Sequence, residues 1–314
     1  DSTKGWLPLE DDVVADEPSQ PPTQKGIFAF GFAAGDTQSA VSMSNLVNSS
    51  GVIASDVTGV GTAREALGAA TYGVDKAIFA YGNGGGDVSI SNLVSSSGVV
   101  ASDTTGVGTA RDRLVATSYG SDKAVFAYGK TSSQVSLKNL CSNSGVIASD
   151  VAGVGTARSE LGAAAYGGIA AGTALFAYGE TSGVHSLKNL VSNVGVIAAD
   201  VTGVGTARRT LGAASYGGDK VVFAYGYAGG YVSMKNLVNS SGVVAADVSG
   251  VGTARTSKAA ITYGGDKAIY GYGSTGSDIS LSNLVNNVGV IAADVTGVGT
   301  ARNNLSAAGF SASA

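Results

Sequence analysis

The sequence predicts an all-β fold: a six-bladed β-propeller with four antiparallel strands per blade, closed by a C-terminal strand that completes the first blade. Three observations lead there. A phrase recurs six times at intervals of 47 or 50 residues, each interval holds four strand-like segments, and the copies open and finish part-way through the phrase.

The period is read from invariant positions. The Arg of G-T-A-R falls at Arg64, Arg111, Arg158, Arg208, Arg255 and Arg302, giving intervals of 47, 47, 50, 47 and 47. An Asp recurs eight residues before each of them, at Asp56, Asp103, Asp150, Asp200, Asp247 and Asp294. N-L-V or its equivalent starts at Asn45, Asn92, Asn139, Asn189, Asn236 and Asn283. Spacing departs only at "GDTQSA" in the first copy and "GGIAAG" in the third, both Gly-bearing and turn-like.

Each segment has the character of a strand. In "VSISNLV", Val88, Ile90 and Leu93 alternate with serines, the pattern of a half-buried strand. "KAIFAYG" and "SGVIASD" are short runs rich in Val, Ile, Phe and Tyr between Gly, Asn and Ser. "LGAATYG" is made of small residues, which suits the strand lining a crowded centre. "YGxDK" supplies a tight turn, and "NSSG" or "SNVG" another.

A β-solenoid is the rival architecture. The first copy starts at "KGIFAFG" with no "GTARxxLGAA" before it, and "GTARNNLSAAGFSASA" follows the last. That displaced phrase predicts a ring whose last strand, "LSAAGFSA", pairs beside "GIFAFG".

Of 314 residues, 48 are Gly and only 13% are charged, which argues for many tight turns. All four prolines, the single Trp6 and six of the 23 acids lie in residues 1–24. That stretch reads as an acidic, Pro-bearing arm carrying a short apolar anchor around Trp6, and residues 25–314 as the propeller. The first residue is Asp, which is compatible with a removed leader. The repeats hold 17 acids and 18 bases, so no stripe for nucleic acid is implied. No apolar run is long enough to span a membrane. Cys141 replaces the Val of other copies and reads as a core residue.

"GTARxxLGAAxYGxDKAIFAYG" resembles the Kelch blade pattern, in which an Arg precedes an Ala-containing inner strand, a Gly turn follows, and the next strand ends in aromatic-x-Gly. The resemblance covers about residues 25–314 and departs from the pattern in lacking its double Gly and outer-strand Trp. The wording also resembles repeat proteins encoded among the virion structural genes of marine bacteriophages. That resemblance implies a fibre, knob or decoration of a particle, located on a virion or extracellularly.

Residues kept in every copy read as scaffold, with the Arg and Asp anchors bridging turns between strands. No catalytic, metal or cofactor constellation is expected. His185 is the only histidine and reads as a solvent-exposed polar residue. Paired acids among Glu65, Asp112, Glu160 and Glu180 carry no signature of their own. The residues that differ between copies are the candidates for binding: Phe32, Lys130, Glu180, Tyr227 and Tyr231, in the loops after the aromatic strand. A second variable pair follows each Arg and is expected on the opposite side or on the central rim. The function expected is a non-catalytic structural or binding module. Its arm would engage a protein through the Trp6 region, and its loops a host-surface protein or glycan. A secreted carbohydrate-binding propeller is the alternative.

Overall fold

The computed structural model describes residues 23–35 and 39–313. The expected arm, Trp6 included, therefore lies outside the described residues except for Thr23 and Gln24, as does part of the irregular "GDTQSA" stretch.

The described residues are all-β, with one helical turn. Its first strands are β1 (Lys25–Ala29), β2 (Phe32–Ala33), β3 (Ser39–Ala40) and β4 (Ser44–Val47), and the second sheet is β5 (Gly68–Tyr72), β6 (Lys76–Ala80) and β7 (Ser91–Val94). The third sheet is β8 (Val115–Tyr119), β9 (Lys123–Ala127) and β10 (Lys138–Cys141). The fourth holds β11 (Gly162–Tyr166), the helix α1 (Gly168–Ala171), β12 (Thr173–Ala177) and β13 (Lys188–Val191). The fifth is β14 (Gly212–Tyr216), β15 (Lys220–Ala224) and β16 (Lys235–Val238). The sixth is β17 (Ala260–Tyr263), β18 (Lys267–Ser274) and β19 (Asp278–Val285), followed by β20 (Ser306–Phe310). The extra residues of "GGIAAG" form α1, set between the left-handed residues Gly167 and Gly172.

β20 pairs antiparallel with β1, Lys25 opposite Phe310 and Ala29 opposite Ser306, so the first sheet runs β20-β1-β4. The first strands of successive sheets touch in the order β20, β5, β8, β11, β14, β17 and back to β20. Six apolar clusters lie between neighbouring sheets. Tyr72, Ile78 and Tyr81 of the second sheet meet Leu114, Phe126 and Cys141 of the third. Phe28 and Val47 of the first meet Ile261, Tyr263 and Ile269 of the sixth.

Middle strands are buried on both faces because a cluster lies on either side, which is why "KAIFA" is continuously apolar. First strands alternate instead. Ala70 and Tyr72 are buried while Ala69 and Thr71 are partly open, which accounts for the small residues there. Cys141 is buried, and burial pushes its thiol up to about 12.

The fourth strand is a correction. Each main sheet has three strands, and "SGVIASD" with the residue after it contributes only bridges, such as Val47 with Ile53 and Ser44 with Val57. The bridges are three residues apart on β4 and four apart on the outer segment, so the ladder bulges. Asn45 Nδ2 fills the gap, donating to Ala54 O at 3.0 Å and to Asp56 Oδ1 at 2.8 Å.

Candidate functional site

Each first strand is preceded by a fully buried arginine. Arg111 Nε donates to Tyr128 O at 2.9 Å, Nη1 to Thr109 O at 3.1 Å and Nη2 to Asn139 Oδ1 at 2.8 Å. Its guanidinium lies over the Tyr81 ring of the preceding sheet, 4.3 Å from the centroid. The other five arginines stack in the same way on Phe30, Tyr128, Tyr178, Tyr225 and Tyr272. These guanidiniums tie their own sheet together and seat it on its neighbour. Burial draws Arg64 down to about 10, still charged at neutral pH.

The aspartate partner is not the one eight residues upstream. Arg64 faces Asp103 at 3.9 Å, and Asp56 instead faces Arg302 at 3.7 Å. The upstream Asp belongs to the previous sheet, so proximity in sequence misassigned the pair. Burial alone would raise Asp103; hydrogen bonds from Thr62 and Asn92 outweigh it and hold the carboxyl below its ordinary value. Gly108 shows why a glycine precedes the G-T-A-R threonine. At φ +78 its absent Cβ would collide with Asp150 Oδ1.

The variable positions gather at the leading end of the first strands. The residue after each Arg bridges the start of the variable loop: Glu65 with Asn83, Asp112 with Lys130, Ser159 with Glu180, Arg209 with Tyr227 and Phe32 with Asn303. The second variable pair is therefore on the same side as the loops, at the rim, and not on the opposite side. Backbone bonds link these rim residues in turn: Ala66 N to Asn304 O, Arg113 N to Ala66 O, Glu160 N to Arg113 O and Thr210 N to Glu160 O.

Charge concentrates here. Glu160 has Arg209 at 3.2 Å, Arg113 at 3.8 Å and Lys258 at 3.9 Å. Arg209 also reaches Glu180 at 3.0 Å, and Arg113 reaches Asp112 at 3.5 Å. Burial would raise Glu160, but Lys258, Arg209 and Arg113 outweigh it and keep the carboxyl below its usual value. Burial raises Asp112 against the pull of Arg113. The hydroxyl of Ser159 is the one buried side-chain polar atom without a partner among the described residues.

Of the expected binding residues, the structure brings Glu180, Tyr227 and Tyr231 together through Arg209, whose guanidinium lies 5.4 Å from the Tyr227 centroid. Lys130 and Phe32 are at the same end on the third and first sheets. His185 is half-buried, with Nε2 2.7 Å from Thr181 Oγ1, and not fully exposed as expected. Glu160, Arg209 and Lys258 were missed as binding candidates. The available signal was Lys258, which occupies the place of Leu67, Leu114, Leu161, Leu211 and Leu305 in the other copies.

The hairpin end of the first strands is different. A cavity of about 150 Å3 is lined there by Thr71, Ser118, Ser215 and Thr262, with Thr23 beside them. Their hydroxyls are committed to neighbouring strands: Thr71 Oγ1 donates to Gly309 O, Ser118 Oγ to Thr71 O and Thr262 Oγ1 to Ser215 O. Among the described residues no three His, Cys, Asp or Glu side chains gather as a metal site, and no helix is long and apolar enough to cross a membrane. No protein-family model matches the chain, and no curated protein matches it either.

Proposed function

We infer that the six main sheets are the blades of a six-bladed, Kelch-like propeller. The protein is a non-catalytic display module that binds through the loop-bearing end and is mounted through residues 1–24. The setting is a particle, as a virion fibre, knob or decoration, or otherwise extracellular.

The separation of the two ends carries this reading. Variable loops and rim pairs share the leading end, whereas Thr23 and Gln24 sit at the hairpin end, where Gln24 O accepts from Gly264 N and Thr23 lines the cavity. A chain held by the segment leading into Thr23 presents its variable residues away from its support. The buried arginines give such a scaffold its rigidity, leaving the loops free to differ. Glu160, held ionised by Lys258, Arg209 and Arg113, is poorly suited to proton donation.

Co-sedimentation with particles from the native source tests the mounting. The full chain should pellet with them, a variant lacking residues 1–22 should stay in solution, and a Lys130→Ser, Tyr231→Ser variant should pellet normally. Pelleting of the truncated chain, or of none of the three, would overturn the reading.

A further inference from the structure

We propose that the corner formed by Tyr227, Tyr231, Arg209 and Glu180 is a binding site for a neutral saccharide. The proposal rests on the leading end being the binding face, and it names the ligand class for one sector of that face.

The two tyrosines are unlike the others in the repeats. Tyr81, Tyr128, Tyr178, Tyr225 and Tyr272 are buried and donate their hydroxyls to backbone carbonyls. Tyr227 and Tyr231 stand outside the core, with Tyr231 39% exposed. Neither of their hydroxyls has a hydrogen-bond partner among the described residues. Their rings meet nearly at right angles, 79° with centroids 5.6 Å apart, and form a corner rather than a stack. Gly229 and Gly230 at the loop tip have open space where a side chain would stand. The neighbouring loop of the sixth sheet approaches from the other side, with a Cβ position on Gly276 3.9 Å from Tyr231 Oη.

The polar wall of the corner is rigid and without net charge. Arg209 lies over Tyr227 and is pinned by Glu160 at 3.2 Å and Glu180 at 3.0 Å. Around them Arg113, Arg209 and Lys258 balance Asp112, Glu160 and Glu180. An ion gains little from a balanced cluster. An uncharged ligand that offers an apolar C–H face to an aromatic ring and hydroxyls to fixed carboxylate and guanidinium groups fits both walls, and that is the chemistry of a neutral sugar. No other copy repeats the aromatic pair: the corresponding positions are Phe32 with Ala40, Asn83 with Asp87, Lys130 with Gln134, Glu180 with Val184 and Ser274 with Asp278. The site is therefore single, although the scaffold is sixfold.

Saturation-transfer NMR and calorimetry on the full chain test this, with mannotetraose, cellotetraose, laminaritetraose and chitotetraose as probes and a heparin-derived tetrasaccharide as the charged control. At least one neutral probe should bind. Tyr227→Ala and Tyr231→Ala should each weaken it by about tenfold or more, Glu180→Gln should weaken it, and Lys76→Ser, at the hairpin end, should leave it unchanged. All four variants should melt with the parent protein. The site is refuted if no neutral probe binds at about 10 mM, if both tyrosine variants bind as the parent does, or if only the charged control binds. The particle assay separates the two readings. Arm-dependent pelleting without saccharide binding removes the sugar site and leaves the display module standing.

Discussion

Replacing Arg111 tests how the sheets are held to one another. Arg111→Ala removes three hydrogen bonds from a buried cation, to Tyr128 O, Thr109 O and Asn139 Oδ1, and the stacking on Tyr81 of the preceding sheet. Hydrogen bonds from charged donors contribute about 1.5–3 kcal/mol each and a desolvated cation–π contact about 2 kcal/mol, and these terms do not add fully. Breaking a buried charged network by removing one partner costs about 3–5 kcal/mol. About 4 kcal/mol is therefore expected for Arg111→Ala. Arg111→Lys keeps the charge but cannot span the same acceptors in one plane, and about 2 kcal/mol is expected. Urea unfolding followed by circular dichroism measures both, and the same change at Arg158 or Arg208 should agree within about 1 kcal/mol, because the contacts repeat. A loss below about 1 kcal/mol for Arg111→Ala, the size of an ordinary surface change, would refute the reasoning.

Four further outcomes follow. Tyr81→Phe removes only the bond to Val107 O, and Phe30 already fills the equivalent place in the first sheet, so a loss of about 1 kcal/mol in urea unfolding is expected. Glu160→Gln leaves Arg113, Arg209 and Lys258 crowded without their shared anion, and should cost about 3 kcal/mol by thermal unfolding at neutral pH. The six repeated aspartates have folded pKa values below their ordinary one. The unfolded chain therefore takes up protons first, so their stabilisation is present above about pH 5 and is lost as pH falls below about 4 and through the lower folded values. The melting temperature should drop over that window, and Asp103→Asn should flatten the drop. Deleting residues 303–314 removes β20 and leaves β1 paired only with β4, so cooperative unfolding should give way to a broad transition; an unchanged melting profile would contradict the pairing's importance.

The period, the three regular strands of each copy and the pairing of "LSAAGFSA" with "KGIFAFG" were all legible, because each has a local signature of alternation, turn residues or displaced wording. The fourth strand was not. "SGVIASD" has strand composition, but Asn45 and its counterparts replace part of its backbone ladder with side-chain bonds, which no periodicity reveals. The Arg–Asp pairing failed for a related reason: constant spacing along the chain does not say which sheet each residue joins. At the rim, the contact between loop and post-Arg pair depends on register across the first and middle strands. Lys258 in a leucine position was the one visible sign of the charged cluster, and it points to Glu160 only after the fourth, fifth and sixth sheets are folded together.

Cryo-electron microscopy of the protein on its native particle, with a gold label on a cysteine introduced at Ser132 in the variable loop of the third sheet, tests the central claim directly. The account predicts a ring of six lobes with the label on the side facing away from the particle. An open assembly, a different number of lobes, or a label buried against the particle surface would contradict it.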